Sequence, residues 1–239
     1  MQYAKSGLTL RSVPIVTAAG LGLITLAAWI ALIAGTPMND AGTFLVAWIV
    51  MMAAMMLPSS APMFLLFRLS ASDGPHGELR TLAFAAGYLL VWAVVGVVVL
   101  LAQQLLDLVV SPDLRPLGVA AVLLAAGAYQ FTPLKATCLR ACQTPADFLV
   151  RHWRSGTLGA LRLGFDHGLY CLGCCWALMA VLVAAGGMGL AWVALIALIV
   201  LVEKLVPRAI WFSRAVGVAF TVGALVVLLR PELAMPMAM

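Results

Sequence analysis

Apolar residues run along the chain in long unbroken stretches, not in strict alternation with polar ones. Seven such segments can be read, at positions 13–34, 43–67, 82–106, 117–131, 167–186, 190–206 and 211–229, each closed by a short stretch carrying charge, Gly or Pro. A helix needs roughly 20 apolar residues to cross a bilayer, and a barrel strand shows about ten of alternating polarity. Continuous runs such as 119–128 fit helices and not strands. The fourth segment is short for a span. The fifth and sixth are separated only by Gly186-Gly187-Met188-Gly189, which predicts a tight hairpin. The expected fold is all-α: a polytopic membrane helix bundle of about seven transmembrane helices, forming one integral domain over 1–239 with a cytosolic loop at 132–165.

Composition points the same way. The chain is 64% hydrophobic and 10% charged, whereas soluble domains carry about 25% charged residues. Too little polar surface is present to cover a water-soluble particle, so the solvent is lipid, and spanning segments must satisfy their backbone groups internally. The first apolar run is longer than the 7–15-residue core of a signal peptide, so it is read as a retained helix.

The net charge of +5 does not indicate nucleic acid, because no basic stripe is interleaved with aromatic residues. The charge sets topology instead. With the N-terminus inside, Lys5, Arg11, Arg68, Arg80, Lys135, Arg140, Arg151, Arg154, Arg162, Lys204, Arg208 and Arg214 fall on the inner side, and only Arg115 and Arg230 outside. The positive-inside rule then places the N-terminus in the cytosol and the C-terminus in the periplasm. This is the pattern of a multi-pass protein of a bacterial inner membrane, with the lipid bilayer as its main partner.

The chemistry sits in a few residues. Cys138 and Cys142 lie just after the fourth segment, and Cys171, Cys174 and Cys175 lie early in the fifth, on the same cytosolic side. A reducing compartment argues against a disulfide framework and for metal or redox chemistry. At about 100° per residue, His167, Cys171, Cys174 and Cys175 share an arc of roughly 100°, with Met179 just beyond it. Isolated cysteines serve as small packing residues, but Cys-x-x-Cys-Cys with a His four residues upstream and a second Cys pair is a denser pattern than packing needs.

In the second segment, Met51, Met52, Met55 and Met56 form two overlapping Met-x-x-x-Met pairs, each on one helix face. Methionine is also a common core filler. Thiolates and thioethers select Cu(I), with zinc or an iron–sulfur cluster as the other soft-ligand outcomes. At 1.5 Å per residue the methionines lie about 12–20 Å below the outer surface, and Cys171 to Cys175 about 6–14 Å above the inner one. Methionine-rich residues at 235–239 would extend this series outward.

Other polar residues have more ordinary readings. Pro58 and Pro62 predict a bend, with Ser59 and Ser60 available to freed backbone groups. Asp166 is read as a helix-start charge that could also orient His167, Glu203 as a bundle residue, Lys204 as snorkelling to the surface, and His76 and His152 as solvated loop residues. Lys135 lies close enough in sequence to Cys138 to act on its thiol. Tyr129 and Gln130 are expected to face the bundle, and Trp29, Trp48 and Trp92 to be interface or packing residues.

These motifs resemble a bacterial family of predicted metal-binding integral membrane proteins, long known as a domain of unknown function. The matching residues are Trp48-x-x-Met51-Met52-Ala53-Ala54-Met55-Met56-Leu57-Pro58-Ser59 and Tyr129-Gln130-x-Thr132-Pro133-Leu134-Lys135-x-x-Cys138-Leu139-x-x-Cys142-x-x-Pro145. They continue in Gly168-x-x-Cys171-x-Gly173-Cys174-Cys175-Trp176-x-Leu178-Met179 and Glu203-Lys204. The chain departs from the family where Gly189, not Asn, follows Met188.

The resemblance implies metal binding, with copper handling. The expected function is therefore Cu(I) transport, or copper delivery to a membrane enzyme, with a copper-dependent membrane enzyme or a copper chaperone as partner. The expected metal donors are Cys138, Cys142, His167, Cys171, Cys174, Cys175, Met51, Met52, Met55, Met56 and Met179. Two alternatives stand beside this: a membrane thiol–disulfide oxidoreductase and a structural subunit of a membrane complex. No Ser/His/Asp set, phosphate loop or carboxylate pair is present, so an ordinary enzyme is not expected.

Overall fold

The structure is a computed structural model that describes residues 2–35, 40–71, 76–109, 111–184, 186, 189–206 and 210–230, with side chains from residue 15 onward other than that of Pro112. Gly187 and Met188 of the expected hairpin, Arg208 and the methionines at 235–239 lie outside these residues, as do the side chains of Lys5 and Arg11.

Among the described residues the secondary structure is entirely helical: α1 (Gln2–Ala34), α2 (Ala41–Ser70), α3 (Gly77–Val109), α4 (Arg115–Tyr129), α5 (Pro133–Gln143), α6 (Pro145–His152), α7 (Gly156–Ala184), α8 (Leu190–Leu205) and α9 (Ile210–Leu229). Five stretches are long and apolar enough to cross a membrane: Ile15–Ala34 of α1, and α2, α3, α7 and α9. Each of the seven apolar segments falls on one of the long helices, on α4 or on α8, but the last two do not reach span length alone. α8 has 16 residues, about 24 Å at 1.5 Å per residue, against a hydrocarbon core of about 30 Å. α4 reaches span length only together with α5, at a bend of 67°.

Local chemistry explains that bend. Pro133 disfavours helical geometry at Thr132 and has no N–H to continue the α4 ladder. Thr132 then serves both ends: its hydroxyl donates to the Tyr129 carbonyl at 2.7 Å and accepts from the Lys135 amide at 3.2 Å. The stretch 132–165, expected as a loop, is consequently mostly helical. It holds α5, α6 and the first turns of α7. Pro145 starts α6 as Pro133 starts α5, each with the proline's fixed φ suited to a first helical turn.

α2 begins at a capping box. The Asp40 carboxylate accepts from the amides of Gly42 at 2.7 Å and Thr43 at 3.0 Å, and the Thr43 hydroxyl accepts from the Asp40 amide at 3.0 Å. Those amides, Thr43 first and then Gly42, hold the Asp40 carboxyl below its ordinary value. α1 ends at Gly35, whose φ of 82° suits a residue without Cβ.

The chain divides into two compact units, Met1–Gly96 with Thr144–Tyr170, and Val97–Gln143 with Cys171–Met239. In the first unit α1 packs along α2, and α6 also touches α2. α3 and α7 come into backbone contact: a Cβ on Gly87 would strike the Leu161 carbonyl oxygen, and one on Gly164 would strike that of Phe84. Gly164 and Gly168 are four residues apart on α7, the small-residue spacing that lets membrane helices approach closely. Trp48 is buried and its indole N–H donates to the Trp92 carbonyl at 2.9 Å. Phe64, Phe67 and Phe84 fill the space below in edge-on and stacked contacts.

In the second unit α4 lies on α9, where Gly127 and Gly217 face one another's backbone. Ala126, Tyr129, Ala177 and Val181 form a small core there, joined by Val122, Leu123 and Phe220.

Two outcomes follow. Gly164→Ala drives a methyl group into backbone that cannot rotate away, and is expected to destabilise by about 1–3 kcal/mol or more. Gly118→Ala, where nothing lies within 4 Å, is expected to be neutral or slightly stabilising. Thermal unfolding in detergent separates the two, and equal melting points would refute the close-approach account. For the α2 cap, the depressed Asp40 carboxyl contributes stability that is present above its unfolded value of about 3.9 and is lost as pH falls through the lower folded value. Amide exchange at Gly42 and Thr43 should therefore accelerate only under acid, and in Asp40→Ala at all pH values.

Candidate metal-handling site

All five cysteines are free thiols, and all five belong to the second unit. Cys138 and Cys142 stand one turn apart on α5, and Cys171, Cys174 and Cys175 on α7. Four are buried and Cys142 is partly exposed. The Sγ atoms of Cys142 and Cys174 lie 3.9 Å apart, which brings the two sequence-distant cysteine groups together. The thiols of Cys174 and Cys175 both point back along α7 to the Cys171 carbonyl, at 3.1 and 2.9 Å. Cys138 packs against Gly173, where a Cβ would stand 2.6 Å from its sulfur. Gly173 thus makes the room that Cys138 occupies.

Charge surrounds these thiols. The Lys135 ammonium, 1% exposed, donates to the Glu203 carboxylate at 2.6 Å and to the Cys174 carbonyl at 2.5 Å. Glu203 is equally buried, and its own backbone carbonyl accepts from the Gln143 side chain at 2.7 Å. One residue on, the Lys204 ammonium donates to Cys171 Sγ at 2.9 Å. The Tyr129 hydroxyl donates to the Gly173 carbonyl at 2.5 Å. Backbone carbonyls in mid-helix keep a second lone pair, and here α7 lends two of them to side chains from elsewhere in the unit.

Several expectations change at this point. Lys204 does not snorkel: it is 4% exposed and turned onto a sulfur. The Lys135 ammonium is engaged by Glu203 and the Cys174 carbonyl. Asp166 is not at a helix start, because α7 begins ten residues earlier at Gly156. His152 closes α6, half-buried, with its ring stacked on Phe148 at 4.3 Å and Nδ1 3.0 Å from the Phe148 carbonyl. His76 is exposed, as expected, and Gln130 and Tyr129 are buried.

The remaining soft donors sit elsewhere. Met51, Met52, Met55 and Met56 are all buried on α2 in the first unit. Both of their faces are covered, so burial does not single out one pair. Ser59 donates to the Met56 carbonyl at 3.0 Å, and Ser60 shares a 3.0 Å hydrogen bond with the Tyr88 hydroxyl. His167, also in the first unit and buried, lies among the rings of Phe148, Tyr88 and Phe84 at 5.3, 5.7 and 6.2 Å. Met179 is buried on α7 in the second unit. Among the described residues no three His, Cys, Asp or Glu side chains converge into a ready coordination sphere.

The fold and site define an all-helical protein that gathers free thiols around buried ammonium groups. The chain belongs to the PpoB2 copper chaperone family, whose family model matches residues 45–227. The match spans all the expected metal donors from Met51 to Met179, and it bears out the resemblance read from the sequence. No curated protein and no solved structure matches the chain.

The ion pair under the thiols yields a double-variant prediction. Lys135→Met leaves the Glu203 carboxylate buried and uncompensated, at an expected cost of about 3–5 kcal/mol. Adding Glu203→Leu removes the stranded charge and should recover most of that loss. Thermal unfolding of the single and double variants in detergent is the measurement, and an equal loss in both would show that the pair does not act as an isolated unit.

Proposed function

We propose that the chain is a multi-pass copper chaperone of the bacterial inner membrane, which carries Cu(I) on sulfur and delivers it to a copper-dependent membrane enzyme without catalytic turnover of its own. The five long helices, the bent α4–α5 pair and α8 make up seven crossings in this reading. The distribution of basic residues supports a cytosolic side for the N-terminus and the cysteines.

The observation that carries the proposal is the pair Cys142–Cys174, with sulfurs 3.9 Å apart. Two sulfurs bound to one metal at about 2.3 Å lie about 3.8 Å apart in tetrahedral geometry and about 4.6 Å apart in linear geometry. The observed separation falls within that interval, and is nearly twice a disulfide bond of about 2.05 Å. Membership of a copper chaperone family supplies the cargo, and soft thiolates suit its cuprous form. Cys142, the partly exposed member, is the entry point. Cys138, Cys171, Cys175 and Met179 are further sulfur donors on the same two helices. Met51, Met52, Met55, Met56 and His167 supply soft donors in the first unit, for an ion passing through it.

The same sulfur pair also favours a second reading, in which Cys142 and Cys174 alternate between dithiol and disulfide in a thiol oxidoreductase. Metal analysis decides between them. Protein purified anaerobically in detergent should hold near-stoichiometric copper, and Cys142→Ser or Cys174→Ser should lose it. Zinc or iron with sulfide in place of copper would replace the cargo. Metal-free protein with a reducible Cys142–Cys174 disulfide would overturn copper carriage and establish the oxidoreductase.

A further inference from the structure

A thiolate sulfur keeps lone pairs after it has bound one soft ion, so it can bridge to a second. Whether a protein uses that capacity depends on where its other sulfurs stand. Here they stand around Cys174. Its Sγ lies 3.9 Å from that of Cys142, and side-chain interactions join it to Cys171 and Cys175 as well. It also acts electrostatically on Cys138. Cys174 and Cys175 share the Cys171 carbonyl as acceptor, at 3.1 and 2.9 Å. Their sulfurs nevertheless leave α7 in directions about 100° apart, whereas those of Cys171 and Cys174, three residues apart, diverge by only about 60°. Among the described residues no three donors converge on one point. The sulfurs therefore offer pairs and not a cage: Cys142 with Cys174, and Cys174 with Cys171.

We infer that this site holds two Cu(I) ions bridged by the Cys174 thiolate, one between Cys142 and Cys174 and the other between Cys174 and Cys171. This rests on the copper-carrying reading above and extends it from one ion to two. As the copper–sulfur bonds form, the three thiols give up their protons to solvent. Cys174 gives up its proton once and then makes two bonds. Copper stays Cu(I), and no electron moves. Because the ions share a sulfur, they stand no more than two copper–sulfur bonds apart, about 4.6 Å at about 2.3 Å per bond. Sharing also orders the filling. The first ion takes the pair that includes Cys142, the cysteine that is not fully buried. The second uses a sulfur that is already coordinated, so it binds more weakly, and it sits deeper, against the fully buried Cys171. Protein as purified carries the first ion, and excess Cu(I) adds the second. The deeper ion is a reserve that refills the outer pair after a delivery.

The experiment titrates the reduced full chain in detergent, without oxygen, with Cu(I) supplied from a chelator of known affinity. Bound copper is counted per chain by mass spectrometry after the excess is removed, and the saturated protein is examined by X-ray absorption. The wild-type chain should saturate at two ions and show a copper scatterer beside copper. Cys171→Ser should keep the first ion and lose both the second and the copper–copper signal, and Cys174→Ser should lose both ions. The absorption measurement on the wild-type chain needs no variant to fold. Saturation at one ion would overturn the inference and leave copper carriage intact. So would a second ion with no copper neighbour that survives Cys171→Ser, since it would lie on other donors such as the α2 methionines. A second ion lost in Cys175→Ser but kept in Cys171→Ser would refute the assignment of Cys171. A wild-type chain that takes up no copper would overturn both readings.

Discussion

A charged group inside a bundle of apolar helices has to be paired by the bundle, because neither lipid nor water is there to do it. Lys135 meets that requirement in a way that sets the geometry of the second unit. Its ammonium leaves α5, reaches the Glu203 carboxylate on α8 and the Cys174 carbonyl on α7, and so fixes three helices at one point. The carbonyl it holds belongs to the cysteine whose thiol meets Cys142. The register of α5 against α7, and with it the sulfur–sulfur distance, is therefore tied to a buried ion pair. Tyr129 repeats the device one residue earlier, at the Gly173 carbonyl. Because Gly173 has no side chain, Cys138 can settle on the same stretch of α7. Two side-chain donors and one absent side chain position three sulfurs.

What could be read in advance follows from which forces are local. Hydropathy is a property of the segment itself, so the apolar runs and their helical nature were visible without a structure. The break at Pro133 was legible as a short fourth segment but not as a 67° bend, because the angle depends on how Thr132 serves both helix ends. The stretch 132–165 reads as a loop because α5 and α6 are short and carry polar residues. Their helicity comes from proline starts and from packing in the bundle. Asp166 reads as a helix-start charge because the glycines at 156, 159 and 164 and the charge at Arg162 disguise the first turns of α7.

Lys204 shows the limit most clearly. At the end of an apolar helix, an ammonium on a long stem reads as a snorkelling group, and nothing within α8 says otherwise. Cys171, onto whose sulfur it turns, lies 33 residues away in sequence, and only the tertiary fold brings them together. Cys142 and Cys174, 32 residues apart, are a milder case: the cysteine pattern announced that the two groups belonged together, but not which thiol met which. The methionines are the reverse case. Their spacing was plain in the sequence, yet burial on both faces of α2 makes them equally good packing residues.

A carrier of copper has two conflicting tasks, to hold its ion against loss and to surrender it to a partner. On the copper-carrying reading, the arrangement separates them. Holding falls to the thiolates. The Lys204 ammonium donates to Cys171 Sγ beside them. Surrender falls to position. Cys142 is the one cysteine of the five that is not fully buried, so on this reading an incoming partner sulfur reaches the ion at that edge while Cys174 still holds it from within. Exchange through a shared intermediate needs no opening of the bundle, which the ion pair at Lys135 would resist. The constraint that fixes the sulfurs in place is thus compatible with release, because the thiol that must let go lies at the rim of the fixed region.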